Sequence, residues 1–155
     1  MTAEQQMAQA IEPSEWFVVF HRRSTLRWLN WLVRGQFKHV SAFGYCAGFR
    51  CWLVYDVSWS GTRTPLLPAN QLGKAAIMEW TRDCVVLKVT RGSAVPHLSS
   101  RLGFTCVNAV KHLLGLRCVA ATPTQLYRYI LRNGGLSLDE CAQHPGPTGR
   151  PEPAG

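Results

Sequence analysis

The chain lacks several features that would place it at once in a large class. None of its six cysteines, Cys46, Cys51, Cys84, Cys106, Cys118 and Cys141, belongs to a Cys-x-x-Cys pair. Without that spacing a structural zinc site is not expected, and no metal or cofactor is implied by any other motif. No apolar run reaches the roughly 18 residues that a transmembrane helix needs. The segment 1–9 is polar and uncharged apart from Glu4; it holds no secretory apolar stretch, so synthesis in the reducing cytoplasm is expected. There is no internal repeat, RNA-recognition signature or zinc finger, so a nucleic-acid partner is not expected either. Acidic residues are scarce, nine against 17 basic ones, and lysine is scarcer than arginine.

What the chain does contain is enough apolar material for a core. Its 155 residues are 46% hydrophobic and only 17% charged, which predicts one globular domain rather than a disordered chain. The formal charge of +8 predicts attraction to an anionic partner such as a membrane surface, a nucleic acid or an acidic cell-wall polymer. Composition divides the chain into a loose leader over 1–13, a domain over 14–136 and a tail over 137–155. The tail carries Pro145, Pro147, Pro151 and Pro153, a density that argues against packed structure there.

Within the domain, the continuous apolar run Trp16 to Phe20 predicts a buried strand. Ser24 or Thr25 caps a predicted helix through about Arg34, ended by Gly35. Its tryptophans, Trp28 and Trp31, interleave with Arg22, Arg23, Arg27, Arg34 and Lys38; packing of the rings against the sheet is expected, with a membrane or anionic-polymer surface as the alternative. Two strands follow, 37–46 and 50–57, joined through Ala47-Gly48-Phe49. The stretch 59–68 is turn-rich with room for a short edge strand, and 68–80 is partly helical. Cys84 to Val89 is a β-branched strand. After a loop over 91–103, Thr105 to Leu114 reads as an amphipathic helix closed by Gly115, and Thr122-Pro123 opens a last helix to about Leu131. Strands in hairpins with helices gathered to one side predict an α+β domain around an antiparallel sheet.

Cys106 stands in the first turn of its helix. Unpaired N–H groups and the helix dipole favour an anion at such a position, and the thiolate is the nucleophilic form of cysteine. A neighbouring imidazole takes and returns the proton, and a third polar group orients that imidazole. His39 opens the second strand and Asp56 closes the third, where adjacent antiparallel strands bring early and late residues together. Cys106, His39 and Asp56 are therefore the candidate catalytic set. His97, in the loop before the cysteine helix, is an alternative base, His112 points elsewhere, and Cys46 and Cys51 flank the hairpin at a spacing that permits pairing on oxidation.

The order of these segments resembles a known family. His39-Val40 on a strand, then Trp52-Leu53-Val54-Tyr55-Asp56, then Phe104-Thr105-Cys106-Val107 at a helix start, with the later Ala121-Thr122-Pro123-Thr124-Gln125-Leu126 helix, is similar to the circularly permuted branch of the NlpC-type papain-like superfamily. In that branch the histidine strand precedes the cysteine helix. The resemblance spans roughly 16–135 and implies a papain-like fold with Cys106 as nucleophile, His39 as base and Asp56 as orienting group. It implies a peptidase or amidase, or else a lipid acyltransferase or thioesterase, working through a thioester without a cofactor. Cell-wall peptide or another anionic polymer is the implied substrate, and many small bacterial and phage members suggest a virion or envelope setting. A non-enzymatic virion or interaction protein that keeps the same core, with a protein partner, is the alternative.

Overall fold

A computed structural model describes residue 13 and residues 15–24, 31, 33–58, 60–90 and 105–138. These residues form a seven-stranded antiparallel sheet with three helices. The strands are β1 (Glu15–His21), β2 (His39–Cys46), β3 (Cys51–Ser58), β4 (Gly61–Arg63), β5 (Leu66–Pro68), β6 (Cys84–Thr90) and β7 (Leu136–Ser137). The helices are α1 (Gln71–Thr81), α2 (Cys106–Leu114) and α3 (Pro123–Arg132). The sheet order is β4-β3-β2-β1-β6-β7, with β5 also pairing β3.

Side-chain alternation along the strands sorts the core into two layers, because successive residues face opposite sides of a sheet. Trp16, Val18 and Phe20 of β1, with Val40, Ala42 and Leu87, pack against Val107, Val110 and Leu114 of α2 and against Leu126 and Ile130 of α3. The intervening Phe17 and Val19, with Phe43, Val54 and Val86, pack against Ile77 and Trp80 of α1. The helices are thus not gathered to one side as the sequence reading expects. Both faces of the central strands are apolar, so each face requires a cover. Trp16, Val18, Val19 and Phe20 are all essentially inaccessible, which a half-solvated strand would not allow.

Local chemistry sets the ends of these elements. Asn70 caps α1 by accepting the Gly73 N–H, a local signal in the sequence for where the helix expected within 68–80 begins. Gly73 itself lies so close to the Pro68 carbonyl that a Cβ would collide with it, and this close approach seats α1 on β5. Thr122 and Gln125 form a capping box with Pro123 in the first turn of α3. Gly115 ends α2 in the left-handed conformation at φ 66°. The β2–β3 connection is a 3₁₀ turn over Ala47–Phe49, and Arg50 takes the left-handed position at φ 48°. That turn sets Cys46 opposite Cys51, and both thiols remain free.

β7 carries ordered pairing to Ser137, with Leu87 and Lys88 opposite it on β6. Segment 1–12, most of the predicted 24–34 helix including Trp28, the 91–104 loop with His97, and 139–155 with Cys141 lie outside the described residues. Trp31 is described and is 89% exposed, so the expected packing of that ring on the sheet does not occur. Among the described residues no helix is long and apolar enough to cross a membrane.

Candidate active site

His39 is the first residue of β2, at the end of the sheet. Its imidazole is half-buried, and Nε2–H donates to Asp56 Oδ1 at 2.6 Å. Asp56 lies on β3, on the face that carries Val54 and Trp52 toward α1. The Cys106 thiol lies on the other side, close enough to the ring to act on its proton affinity. Cys106 is the first residue of α2, and α2 lies against β2 and β3 on the opposite face. The three residues therefore meet around the end of β2, with the imidazole in the middle. The structure brings together the whole set singled out in the sequence.

Two forces act on the His39 ring. Burial alone pushes its proton affinity down, but the Asp56 carboxylate and the Cys106 thiol together outweigh that and raise the pKa from an ordinary 6.5 to about 9. For Asp56 burial again opposes charge, and the hydrogen bond from His39, the charge on His39, the electrostatic pull of His21 at the acid pH where the carboxyl titrates and the charge on Arg63 hold the carboxyl below its ordinary value. The outcome is an imidazolium and a carboxylate in contact across the neutral pH range. An Asp56→Asn substitution keeps the shape and removes the charge. It is expected to lower the His39 titration midpoint by about 1–3 pH units, the usual effect of one close opposite charge, as read by NMR titration of the imidazole. An unchanged midpoint would show that the carboxylate does not set the charge on His39.

The start of α2 completes the arrangement. Thr105 caps the helix: its hydroxyl accepts the Asn108 N–H and its carbonyl accepts the Ala109 N–H. Those bonds leave the N–H groups of Cys106 and Val107 at the helix end unused by the helix itself. Cys106 is half-buried against the α2–α3 layer, so its sulfur is neither sealed in the core nor fully exposed. Asp56 also lines a cavity of about 210 Å³ whose other walls include Val54, Arg63, Leu67, Ile77 and Trp80.

His112 lies on the exposed side of α2 and takes no part. Among the described residues no group of His, Cys, Asp and Glu has the arrangement of a metal site. Three polar residues near the site escaped the sequence reading: His21, Ser41 and Cys84. His21 Nε2 lies 2.7 Å from Ser41 Oγ and its Nδ1 lies 3.1 Å from Cys84 Sγ. His21 follows the apolar run of β1 and reads in sequence as the residue after a strand. Only the register, which sets it opposite both His39 and Cys84, reveals its place beside the His39 ring.

No family model matches the chain, and no curated protein or solved structure shows significant similarity to it.

Proposed function

We propose that the protein is a papain-like thiol hydrolase of the circularly permuted NlpC type, cleaving an amide or ester bond through a thioester on Cys106. The observation that carries this reading is the His39 ring bonded to Asp56 with the thiol of a cysteine at a helix start close enough to act on its proton affinity. The Cys106 sulfur attacks the substrate carbonyl, and the charge on its oxygen develops near the Cys106 and Val107 N–H groups. Imidazolium His39 gives its proton to the departing amine or alcohol, and the C–N or C–O bond breaks. Water then attacks the thioester, His39 takes its proton, and the C–S bond breaks so that the acid leaves and the thiolate–imidazolium pair is restored. Asp56 keeps the ring aimed and favours its charged form throughout. The strongly basic chain supports an acidic substrate, with cell-wall peptide the best fit.

The thioester is the point at which this chemistry is observable. Brief incubation with an activated acyl ester, followed by acid quench and peptide mass mapping, is expected to find the acyl group on Cys106 and sensitive to hydroxylamine. A Cys106→Ala variant is expected to carry no such adduct and to release no acid. Acylation spread evenly over the cysteines, or turnover that survives in the variant, would sink the reading. Peptidoglycan stem peptides and long-chain acyl esters assayed in parallel then separate the amidase from the lipid-directed form.

A further inference from the structure

A second thiol–imidazole pair lies one strand away from the first. In the β1–β2 and β1–β6 ladders His39, His21 and Cys84 occupy one row across three neighbouring strands. The rings of His21 and His39 are 5.3 Å apart between centroids and inclined by 37°. Trp80 of α1 closes over His21 from outside, at 5.6 Å. Ser41, a fully inaccessible polar residue of the core, bonds one His21 nitrogen, and Cys84 bonds the other.

The two pairs differ in the one element that matters for reactivity. His39 has a carboxylate, and His21 has only uncharged partners. The charged and titratable groups that face His21 are Cys84 from β6, His39 from β2 and Asp56 from β3. Burial first, and then the charge on His39, lower its pKa to about 4, against a smaller opposite pull from Asp56. Burial and Asp83 push the Cys84 thiol up. Both members of this second pair are therefore neutral at neutral pH, and Cys84 is not a second nucleophile. A neutral imidazole has one donor and one acceptor nitrogen, and a hydroxyl and a thiol can satisfy both in either sense.

We propose that His21 is a positioning residue for the catalytic imidazole: its ring, anchored at both nitrogens by Ser41 and Cys84, is the wall that keeps the His39 ring turned between Asp56 and Cys106. This rests on the thiol-hydrolase reading for its consequence but not for its geometry. The His39 ring is anchored by the 2.6 Å bond from Nε2 to Asp56, and a single bond leaves the ring free to tilt about it. That tilt is limited by the neighbouring ring of His21, 5.3 Å away between centroids. An uncharged ring suits that place, because a cation would repel the His39 imidazolium at about 5 Å. The anchoring also explains why a serine and a cysteine, each with a polar atom, sit inside an otherwise apolar face.

The test compares wild type with His21→Ala, His21→Phe and Ser41→Ala. Two readouts are taken on each: the NMR signal of the His39 Nε2–H, which reports its bond to Asp56, and the rate of Cys106 alkylation by iodoacetamide at pH 6. In His21→Ala the Nε2–H signal is expected to broaden by exchange with water and the alkylation rate to fall about tenfold. His21→Phe restores a flat uncharged wall and is expected to recover the signal and bring the rate back to within about threefold. Ser41→Ala frees one anchor and is expected to fall between. Thermal unfolding of each variant separates loss of fold from loss of positioning, and if His21→Ala does not fold, the phenylalanine and Ser41 variants carry the test. A His39 signal and a rate that stay at wild-type level in His21→Ala and Ser41→Ala would overturn the proposal, as would a phenylalanine variant no better than alanine. The NMR signal judges His21 even if Cys106 alkylates no faster than the other thiols, a result that would instead defeat the hydrolase reading.

Discussion

Iodoacetamide at pH 6 is expected to modify Cys106 ahead of the other five cysteines, and His39→Ala is expected to slow that modification by on the order of 10²-fold. The magnitude follows from acid–base arithmetic. An ordinary thiol with a pKa near 8.5 is only about 0.3% thiolate at pH 6, so a fully charged imidazolium partner leaves room for an acceleration of two orders of magnitude. The lower intrinsic nucleophilicity of a stabilised thiolate takes back part of it. His39 is the group that supplies the positive charge, since its pKa of about 9 keeps it protonated far above pH 6. Cys84 is the internal control. It too touches a histidine, but that histidine has a pKa of about 4 and carries no charge at pH 6. Cys46 is buried and pushed up further by Cys51. Peptide mapping after partial labelling measures each site separately. Uniform, slow labelling of all six thiols would remove the basis for a reactive cysteine.

Stability against chemical denaturant is expected to peak near pH 6.5 and to fall on both sides, each limb being on the order of 1–3 kcal/mol. The two histidines act in opposite directions. His39 has a folded pKa of about 9 against 6.5 when unfolded, so the native state binds the extra proton between those values. Its contribution is complete below pH 6.5 and is lost as pH rises through about 9. His21 has a folded pKa of about 4, so between pH 4 and 6.5 the unfolded chain binds the extra proton. Its contribution is complete above pH 6.5 and is lost as pH falls toward 4. Asp56, held below its ordinary value, extends the acid loss to still lower pH. The limbs are separable: His39→Phe is expected to flatten the alkaline side, and His21→Phe the acid side down to about pH 4. Equilibrium denaturation across pH 4 to 9.5 checks this. A profile that keeps both limbs in both variants would show that other groups carry the pH dependence.

The sheet was legible in the sequence wherever one residue type dominated a run. Trp16 to Phe20 is a continuous apolar segment and Cys84 to Val89 is apolar but for Lys88, and such runs have few ways to be satisfied other than as buried central strands. They lie beside each other as β1 and β6. The helices at Thr105 and Thr122 were legible from their caps, because a threonine hydroxyl beside unpaired N–H groups is a local signal that needs no tertiary partner. The expectation of helices on one side failed for a reason visible in β1 itself. An all-apolar strand has no polar face to leave in water, so a second helical cover was implied by Phe17 and Val19 as much as by Val18 and Phe20. Asn70 was missed as a cap since α1 behind it is weakly amphipathic, with Leu72 and Met78 exposed. Trp31 shows the converse limit, a large ring that composition assigns to the core and the fold leaves in solvent.

The amino-acid sequence alone determined the three chemical identities that matter: a cysteine at a helix start, a histidine opening a strand and a carboxylate closing the next. It determined them because helix caps, strand runs and the β2–β3 hairpin are decided by residues within a few positions of one another. Whether the three meet was decided only by tertiary structure. Asp56 faces α1 and Cys106 heads a helix on the opposite layer, so they share His39 only because it lies at the end of β2, where the two faces come together. Tertiary structure alone likewise distinguished the two thiol–imidazole pairs. His21 and His39 are the same residue type, directly opposite each other in one ladder. The carboxylate beside one and the burial of the other move their proton affinities about 5 pH units apart, to about 9 and about 4. No local pattern encodes that difference, because it is a sum over groups from β1, β2, β3, β6 and α2.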